Sequence, residues 1–267
     1  MRACIIIPAR YASTRYPGKP LVTLRGASGQ PRSLIERSVM AARAASQGAI
    51  PIYVATDDDR IADEARRIGA DVIMTSSDCR NGTERVAEAM ANAGLTAEIV
   101  VNLQGDAPLT PPHFVTALIA AMEADPACGM ATPRLRCDAE TVQNLLADRR
   151  AGRVGATTVV AANDGWALYF SKEVIPFTNG LGVVEGEVPV FHHVGVYAYR
   201  PAALTAYAGW EPGPLERLEG LEQLRFLENG HPIQTVEVTA PGAMFWELNN
   251  PSDVPLIEGY LARMGWE

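Results

Sequence analysis

Short, almost wholly apolar runs alternate with helix-period segments through the first half of the chain, and this alternation limits the fold more than any other feature of its 267 residues. Arg2 to Ile7 is the kind of run expected of a strand covered on both faces. A loop rich in Pro, Gly, Ser and Arg follows from Pro8 to Pro20, and a helix is expected within Ser33 to Ala45, where Leu34, Val39, Ala42 and Ala45 share a face. Pro51 to Ala55 and Ala70 to Met74 read as strands. The helix between them, from Asp57 through Arg67, has an acidic start that suits the positive end of its dipole. Thr83 to Ala93 reads as a helix after Gly82, Glu98 to Leu103 as a fourth strand ending at Gln104-Gly105-Asp106, and Pro112 to Ala124 as a further helix. Four successive strand–helix units predict an α/β fold with a doubly wound, mostly parallel sheet rather than a barrel.

The second half predicts a smaller mixed α/β lobe. Met130 to Leu135, Thr157 to Val160, Ala167 to Phe170 and Val194 to Tyr199 are candidate strands separated by loops. Pro176 to Pro189 is rich in Gly and Pro without a period, as in an arm or flap. Leu215 to Leu227 reads as a helix, Ile233 to Val238 as a late strand and Pro251 to Met264 as a closing helix. The expected divisions are a core over 1–130, a lobe over 131–210 and C-terminal helices over 211–267 that complete the core.

A formal net charge of −8 argues against nucleic acid or a membrane surface as partner, since either needs a concentrated basic face. An anionic small molecule remains compatible, because a few placed arginines make a local positive pocket. The start, MRACIIIPAR, is too short an apolar run for a secretion signal, and no run approaches the roughly 20 residues that span a bilayer. Cys4, Cys79, Cys128 and Cys137 are scattered without a CxxC pair, which fits reduced, structural cysteines in a cytoplasmic chain.

The chemistry concentrates in the loop from Pro8 to Leu21. It leaves the first strand at the carboxyl edge, where open α/β sheets bind ligands. Arg10, Arg15 and Lys19 place three cations there; Ser13, Thr14 and backbone N–H groups add donors, and Gly18 permits close approach. Such a loop can cradle a polyphosphate and stabilise departing pyrophosphate. Neither GxxxxGK[ST] nor GxGxxG is present, and a solvated basic loop is the plainer alternative. Asp106 follows a buried-looking strand into the same crevice, where a carboxylate facing a triphosphate is suited to holding Mg²⁺; an acidic turn residue is the alternative. Gly82 before Thr83 can let helix N-terminal N–H groups meet a ligand, or can simply precede a cap.

Taken together, IIPARYASTRYPGKPL, YVATDD, GTER, VNLQGD, ALYFSK, HVGVYAYR and PLERLEGLEQLR resemble the 3-deoxy-manno-octulosonate cytidylyltransferase (CMP-KDO synthetase) family and, more distantly, the CMP-sialic acid synthetases. The resemblance runs from Ala3 to Tyr199 and from Trp210 to Val254. It implies a nucleotidyltransferase that couples CTP to an acidic 2-keto-3-deoxy sugar with Mg²⁺, acts in lipopolysaccharide biosynthesis and forms a homodimer through the second lobe. It implies that Ala9, Arg10, Ser13, Arg15 and Lys19 hold the triphosphate. Thr56, Asp57, Gly82 and Gln104 then face the nucleotide, and Gln104, His193, Tyr197, Glu222 and Gln223 the sugar; for His193 an apolar-face histidine satisfied internally is the alternative. Glu222 and Gln223 are expected on a helix, with Arg225 supporting it or a dimer contact. Arg10, Lys19 and Asp106 carry the catalytic roles, and Asp106 with Asn249 the metal.

The chain departs from the family at several places. Gly105-Asp106-Ala107-Pro108 stands where the family has GDEP, and Thr158 where a lysine is expected. Asn249-Asn250-Pro251 replaces Asp-Thr-Pro, whose Asp is the second metal-facing carboxylate; an Asn249 carbonyl can still ligate Mg²⁺ with one negative charge fewer. Asp253 falls in the first turn of the closing helix. Phe177-Thr178-Asn179-Gly180 lacks the usual charged stretch, so another acid sugar, another nucleotide or a non-catalytic nucleotide-binding relative stay open as alternatives.

Overall fold

The computed structural model describes residues 1–13, 16–106, 108–152, 156–178, 189–240, 248 and 250–267. The chain begins with β1 (Ala3–Ala9), a small hairpin of β2 (Thr23–Arg25) and β3 (Pro31–Ser33), α1 (Leu34–Ser46) and β4 (Ile52–Thr56). It continues through α2 (Asp59–Arg67), β5 (Asp71–Met74), α3 (Gly82–Asn92), β6 (Ile99–Leu103) and α4 (Pro112–Ala124). The second half adds β7 (Met130–Arg136), α5 (Ala139–Arg150), β8 (Thr157–Ala161), β9 (Ala167–Ser171), β10 (Phe191–His193) and β11 (Val196–Tyr199). Helices α6 (Pro201–Ala208), α7 (Pro214–Glu219) and α8 (Leu224–Glu228), β12 (Gln234–Val238) and α9 (Val254–Met264) complete it.

One ten-stranded sheet runs β5-β4-β1-β6-β11-β7-β10-β8-β9, with β12 beside β7. β1 pairs in parallel with β4 and β6, β4 with β5, and β7 with β12. The antiparallel β11 inserts between β6 and β7. Tracing the pairings, β1, β4, β5, β6, β7, β8 and β12 point one way and only β9, β10 and β11 the other, as a doubly wound, mostly parallel sheet with a mixed extension requires.

The continuous apolar reading of β1 has a direct cause: every residue of it is buried. Ile5 and Ile7 pack toward Ile35 and Val39 of α1 and Phe114 and Leu118 of α4. Cys4 and Ile6 pack toward Val86 and Met90 of α3 and Leu204 and Tyr207 of α6. Each such aliphatic side chain contributes about 1.5–3 kcal/mol when fully buried. Side-chain caps start the helices: Ser33 accepts from Glu36 N, Asp58 from Arg60 N, Asn81 from Glu84 N and Asp138 from Thr141 N. α9 closes over the β2–β3 hairpin, joining Leu24 and Leu34 to Ile257, Tyr260 and Leu261. All four cysteines are free and buried. No helix among the described residues is long and apolar enough to cross a membrane.

Two expectations change. The helix expected over Leu215 to Leu227 is broken in two at Gly220, whose left-handed φ of 61° ends α7. Glu222 and Gln223 therefore sit in the turn before α8, not on a helix. Thr158 is fully buried: its Oγ1 donates to Glu173 O at 2.6 Å and accepts from Ile175 N at 3.2 Å, clasping β8 to the segment after β9.

Candidate active site

β1 and β6 are adjacent and parallel, so the loops leaving their carboxyl ends run side by side. Gly105 makes the approach possible, because a Cβ there would lie 2.9 Å from Pro8 O. The loop after β1 returns on itself: Gly18 N donates to Tyr11 O at 2.9 Å, and Gly18 adopts φ 70° against the Tyr11 ring. The Arg60 guanidinium lies 3.3 Å from the Tyr11 ring centroid on its other side. This turn delivers Lys19, and Lys19 Nζ sits 2.7 Å from Asp106 Oδ2.

These loops form one side of a cleft of about 390 Å³. Gly82 of α3 and the turn carrying Glu222 and Gln223 form the other side. The carboxylate of Glu222 accepts from Thr83 N and from Gln104 Nε2, each at 3.1 Å. Burial, with the neighbouring Glu216 charge, pushes the Glu222 carboxyl above its ordinary range. Tyr197 donates its hydroxyl to Gln223 Oε1 at 3.3 Å, while Gln223 Nε2 is buried without an acceptor among the described residues.

The cleft thus brings together Ala9, Arg10, Ser13, Lys19, Gly82, Gln104, Asp106, Tyr197, Glu222 and Gln223. Three expected residues stand behind its surface. Thr56 is fully buried and accepts from Asp58 N through Oγ1 at 3.3 Å. Asp57 holds Arg85 Nη2 at 3.3 Å, so it acts on the cleft through Arg85, which does line it. His193 is buried with Nε2 3.0 Å from Thr132 Oγ1 and its ring tilted against Tyr197; burial lowers its pKa to about 3, keeping it neutral. Asp253 accepts Asn250 N at 2.6 Å and so closes the turn before α9. Arg15, Ala107, Asn249 and residues 179–188 of the expected flap lie outside the described residues.

Charge in the cleft opposes that of the whole molecule. Arg10, Lys19, Arg80 and Arg85 line it against the carboxylates Asp106 and Glu222. Arg10 is exposed and has no ion-pair partner among the described residues. A site with this balance, on the carboxyl edge of a parallel sheet, suits a polyanion at the Arg10–Lys19 end and a polyhydroxylated group at the Gln104–Tyr197–Gln223 end.

The sequence model of the family described as Cytidylyltransferase matches residues 4–235. The chain belongs to the cytidylyltransferase family. A 3-deoxy-manno-octulosonate cytidylyltransferase of Maricaulis maris is 43% identical over 265 residues, covering 99% of both chains. An 8-amino-3,8-dideoxy-manno-octulosonate cytidylyltransferase of Shewanella piezotolerans is 39% identical over 264 residues, covering 98% of this chain and 99% of its own. Among solved structures, a CMP:2-keto-3-deoxy-manno-octonic acid synthetase complexed with CTP superposes with a TM-score of 0.82 at 33% identity, covering 99% of this chain and all of the other.

Two cations of this cytidylyltransferase escape a reading of the sequence. Arg80 lines the cleft just before the α3 cap and is paired with Glu84 at 2.8 Å. Lys172 is brought beside the cleft-lining Gly220, because its backbone N donates to Glu219 Oε2 at 2.9 Å. The Lys172 approach has no local signal, since it depends on a partner 47 residues away.

Proposed function

We propose that this cytidylyltransferase transfers the CMP group of CTP to a 2-keto-3-deoxy acid sugar, giving the CMP-sugar and pyrophosphate. The observation that carries the reading is the cleft itself, with Arg10, Lys19 and Asp106 at one end and the donors and acceptors of Gln104, Tyr197, Gln223 and Glu222 at the other. The anomeric hydroxyl oxygen bonds to the α-phosphorus as the bond from that phosphorus to the bridging oxygen breaks. The electron pair departs on pyrophosphate and the hydroxyl proton passes to solvent. Arg10 and Lys19 offset the charge that grows on the leaving group, where fixed cations in a cleft act most strongly. Gln104, Tyr197 and Gln223 orient the sugar for in-line attack. Lys172, beside Gly220, supplies a cation for the acid-sugar carboxylate.

Among the described residues no three acidic, His or Cys side chains converge as a metal cage. Mg²⁺ needs none here, because it keeps several waters and takes phosphate oxygens alongside one or two protein ligands. Asp106 fits that part: its side chain is 31% exposed at the cleft, and among the described residues only Oδ2 has a partner. Asp106 would hold the ion, with Asn249 as second oxygen ligand. The ion would neutralise phosphate charge and favour ionisation of the sugar hydroxyl.

A homodimer joined through the lobe is supported by Leu168 on the edge strand β9 and Phe177 beyond it, 64% and 87% exposed; sedimentation of the purified chain tests it. For the reaction, pyrophosphate release is measured with each ribonucleoside triphosphate and a panel of 2-keto-3-deoxy acid sugars, including an 8-amino acceptor, with and without Mg²⁺. Release confined to CTP plus an acid sugar supports the reading. CTP binding without release with any acceptor overturns it in favour of a non-catalytic nucleotide-binding protein.

A further inference from the structure

Arg225 is fully buried and does not line the cleft, yet it joins the two elements that form the sugar end. Its Nε and Nη2 donate to the two oxygens of Glu216, each at 2.6 Å. Nη1 donates to Glu84 Oε1 at 2.9 Å and to Trp210 O at 3.3 Å, and the guanidinium lies 4.1 Å from the Tyr207 ring centroid. Glu216 is on α7, Arg225 on α8, and the Glu222–Gln223 turn lies between them. Glu84 belongs to the first turn of α3, which carries Gly82. The same elements meet twice more. Asn81 Nδ2 donates to Tyr207 Oη at 2.8 Å, and that hydroxyl donates to Glu222 O at 3.3 Å. Thr83 N donates to the Glu222 carboxylate.

Arg80 and Arg225 face Glu84, Glu216 and the exposed Glu211, so the linked cluster carries one formal negative charge. Removing such charges from water costs several kcal/mol per ion before their attraction offsets it, so a buried ion pair is weak evidence of stabilisation. What a planar guanidinium adds is direction: it fixes carboxylates on different segments in one plane, which a lysine ammonium cannot do.

We propose that Arg225 is a positioning residue for the acid-sugar half of the reaction. Its links to Glu216 and Glu84 set the Glu222–Gln223 turn at one spacing from the first turn of α3. Arg10 and Lys19 hang from a different element, so loss of the brace acts on the acid sugar more than on CTP, although Gly82 rides on the braced turn of α3. The inference rests on the proposed acid-sugar reaction for its kinetic readout only.

Glu84→Gln is the main test, because it weakens the link across the cleft while leaving the Arg225–Glu216 fork intact; Arg225→Lys is the second variant. Acid-sugar KM, CTP Kd, thermal midpoint and amide exchange at Thr83 are measured on folded protein well below the midpoint. The expected result is a sugar KM raised at least fivefold, CTP Kd within twofold and Thr83 exchange about tenfold faster than in the parent. A lowered midpoint with sugar KM and Thr83 exchange unaltered overturns the proposal and leaves Arg225 a stabilising group alone. A parallel loss of CTP affinity also overturns it. If the parent turns over no acid sugar, the functional reading fails while Thr83 exchange still decides the brace.

Discussion

Lys19 Nζ and Asp106 Oδ2 lie 2.7 Å apart, so the cation of the loop after β1 and the carboxylate of the loop after β6 neutralise one another at the cleft. A triphosphate and a divalent ion would compete for the two halves of that pair. The two residues are therefore coupled, and replacing either changes what the other is free to do.

Asp106→Asn releases the lysine. Metal-free CTP binding is expected to stay level or tighten, while turnover falls by about 10²–10³-fold, the range typical of losing one fixed group that stabilises transition-state charge. Lys19→Met should lower affinity and turnover together. Calorimetric titration of CTP without Mg²⁺, beside steady-state rates, checks both; an Asp106→Asn enzyme with full turnover would remove Asp106 from the reaction.

Gly82 has room for no side chain while Gln104 keeps its place: a Cβ would meet Gln104 Nε2 at 2.9 Å. Gln104 is the flexible partner, so Gly82→Ala should displace it from Glu222 at small cost to stability. The expected outcome is a thermal midpoint within a few degrees of the parent and an acid-sugar KM raised several-fold. Unchanged kinetics would mean that the Gln104–Glu222 contact does not shape the site.

His193 is held neutral in the fold, with a pKa of about 3 against an ordinary value of 6.5. Between these values the unfolded chain binds a proton that the native state does not. Stability attributable to His193 is therefore complete above pH 6.5 and is lost as pH falls through that window. By pH 5 the loss amounts to about 2 kcal/mol. Urea midpoints at pH 7.5 and pH 5 should fall together less in His193→Gln than in the parent. His192, lowered to about 4 by burial and the Arg149 charge, acts in the same sense and accounts for part of the slope that remains.

Thr158 clasps two backbone groups from a fully buried position. Thr158→Val leaves both without that partner and is expected to cost about 1–3 kcal/mol. Denaturant unfolding reads the loss, and kcat at saturating substrates should be unaltered, since the side chain faces its own strand connection and not the cleft.

The core of the fold was legible because β1 and β6 are buried on both faces, so β1 reads as an unbroken apolar run and β6 as one interrupted only by Asn102. Pro112 to Ala124 matches α4 residue for residue, helped by a proline at the start. α5 left little trace, since only Val142 and Leu145 of its twelve residues are buried. The β2–β3 hairpin consists of three-residue strands with one buried side chain each, too short to show a period. At the site, the basic loop and Asp106 announced themselves by position after a strand. The placement of Glu222 depended on a left-handed glycine within an otherwise helical pattern, and that of His193 on packing against Tyr197, neither of which local sequence encodes.

β11 pairs with β6 over four successive residue positions, and Tyr197 is matched there with Asn102. The side chain proposed to face the sugar is thus fixed to the strand whose following loop carries Asp106. Among the described residues, β6 and β11 join the first half of the chain to the second in one continuous sheet. Under the proposed reaction, the separation between the two substrates is set by the register of that sheet.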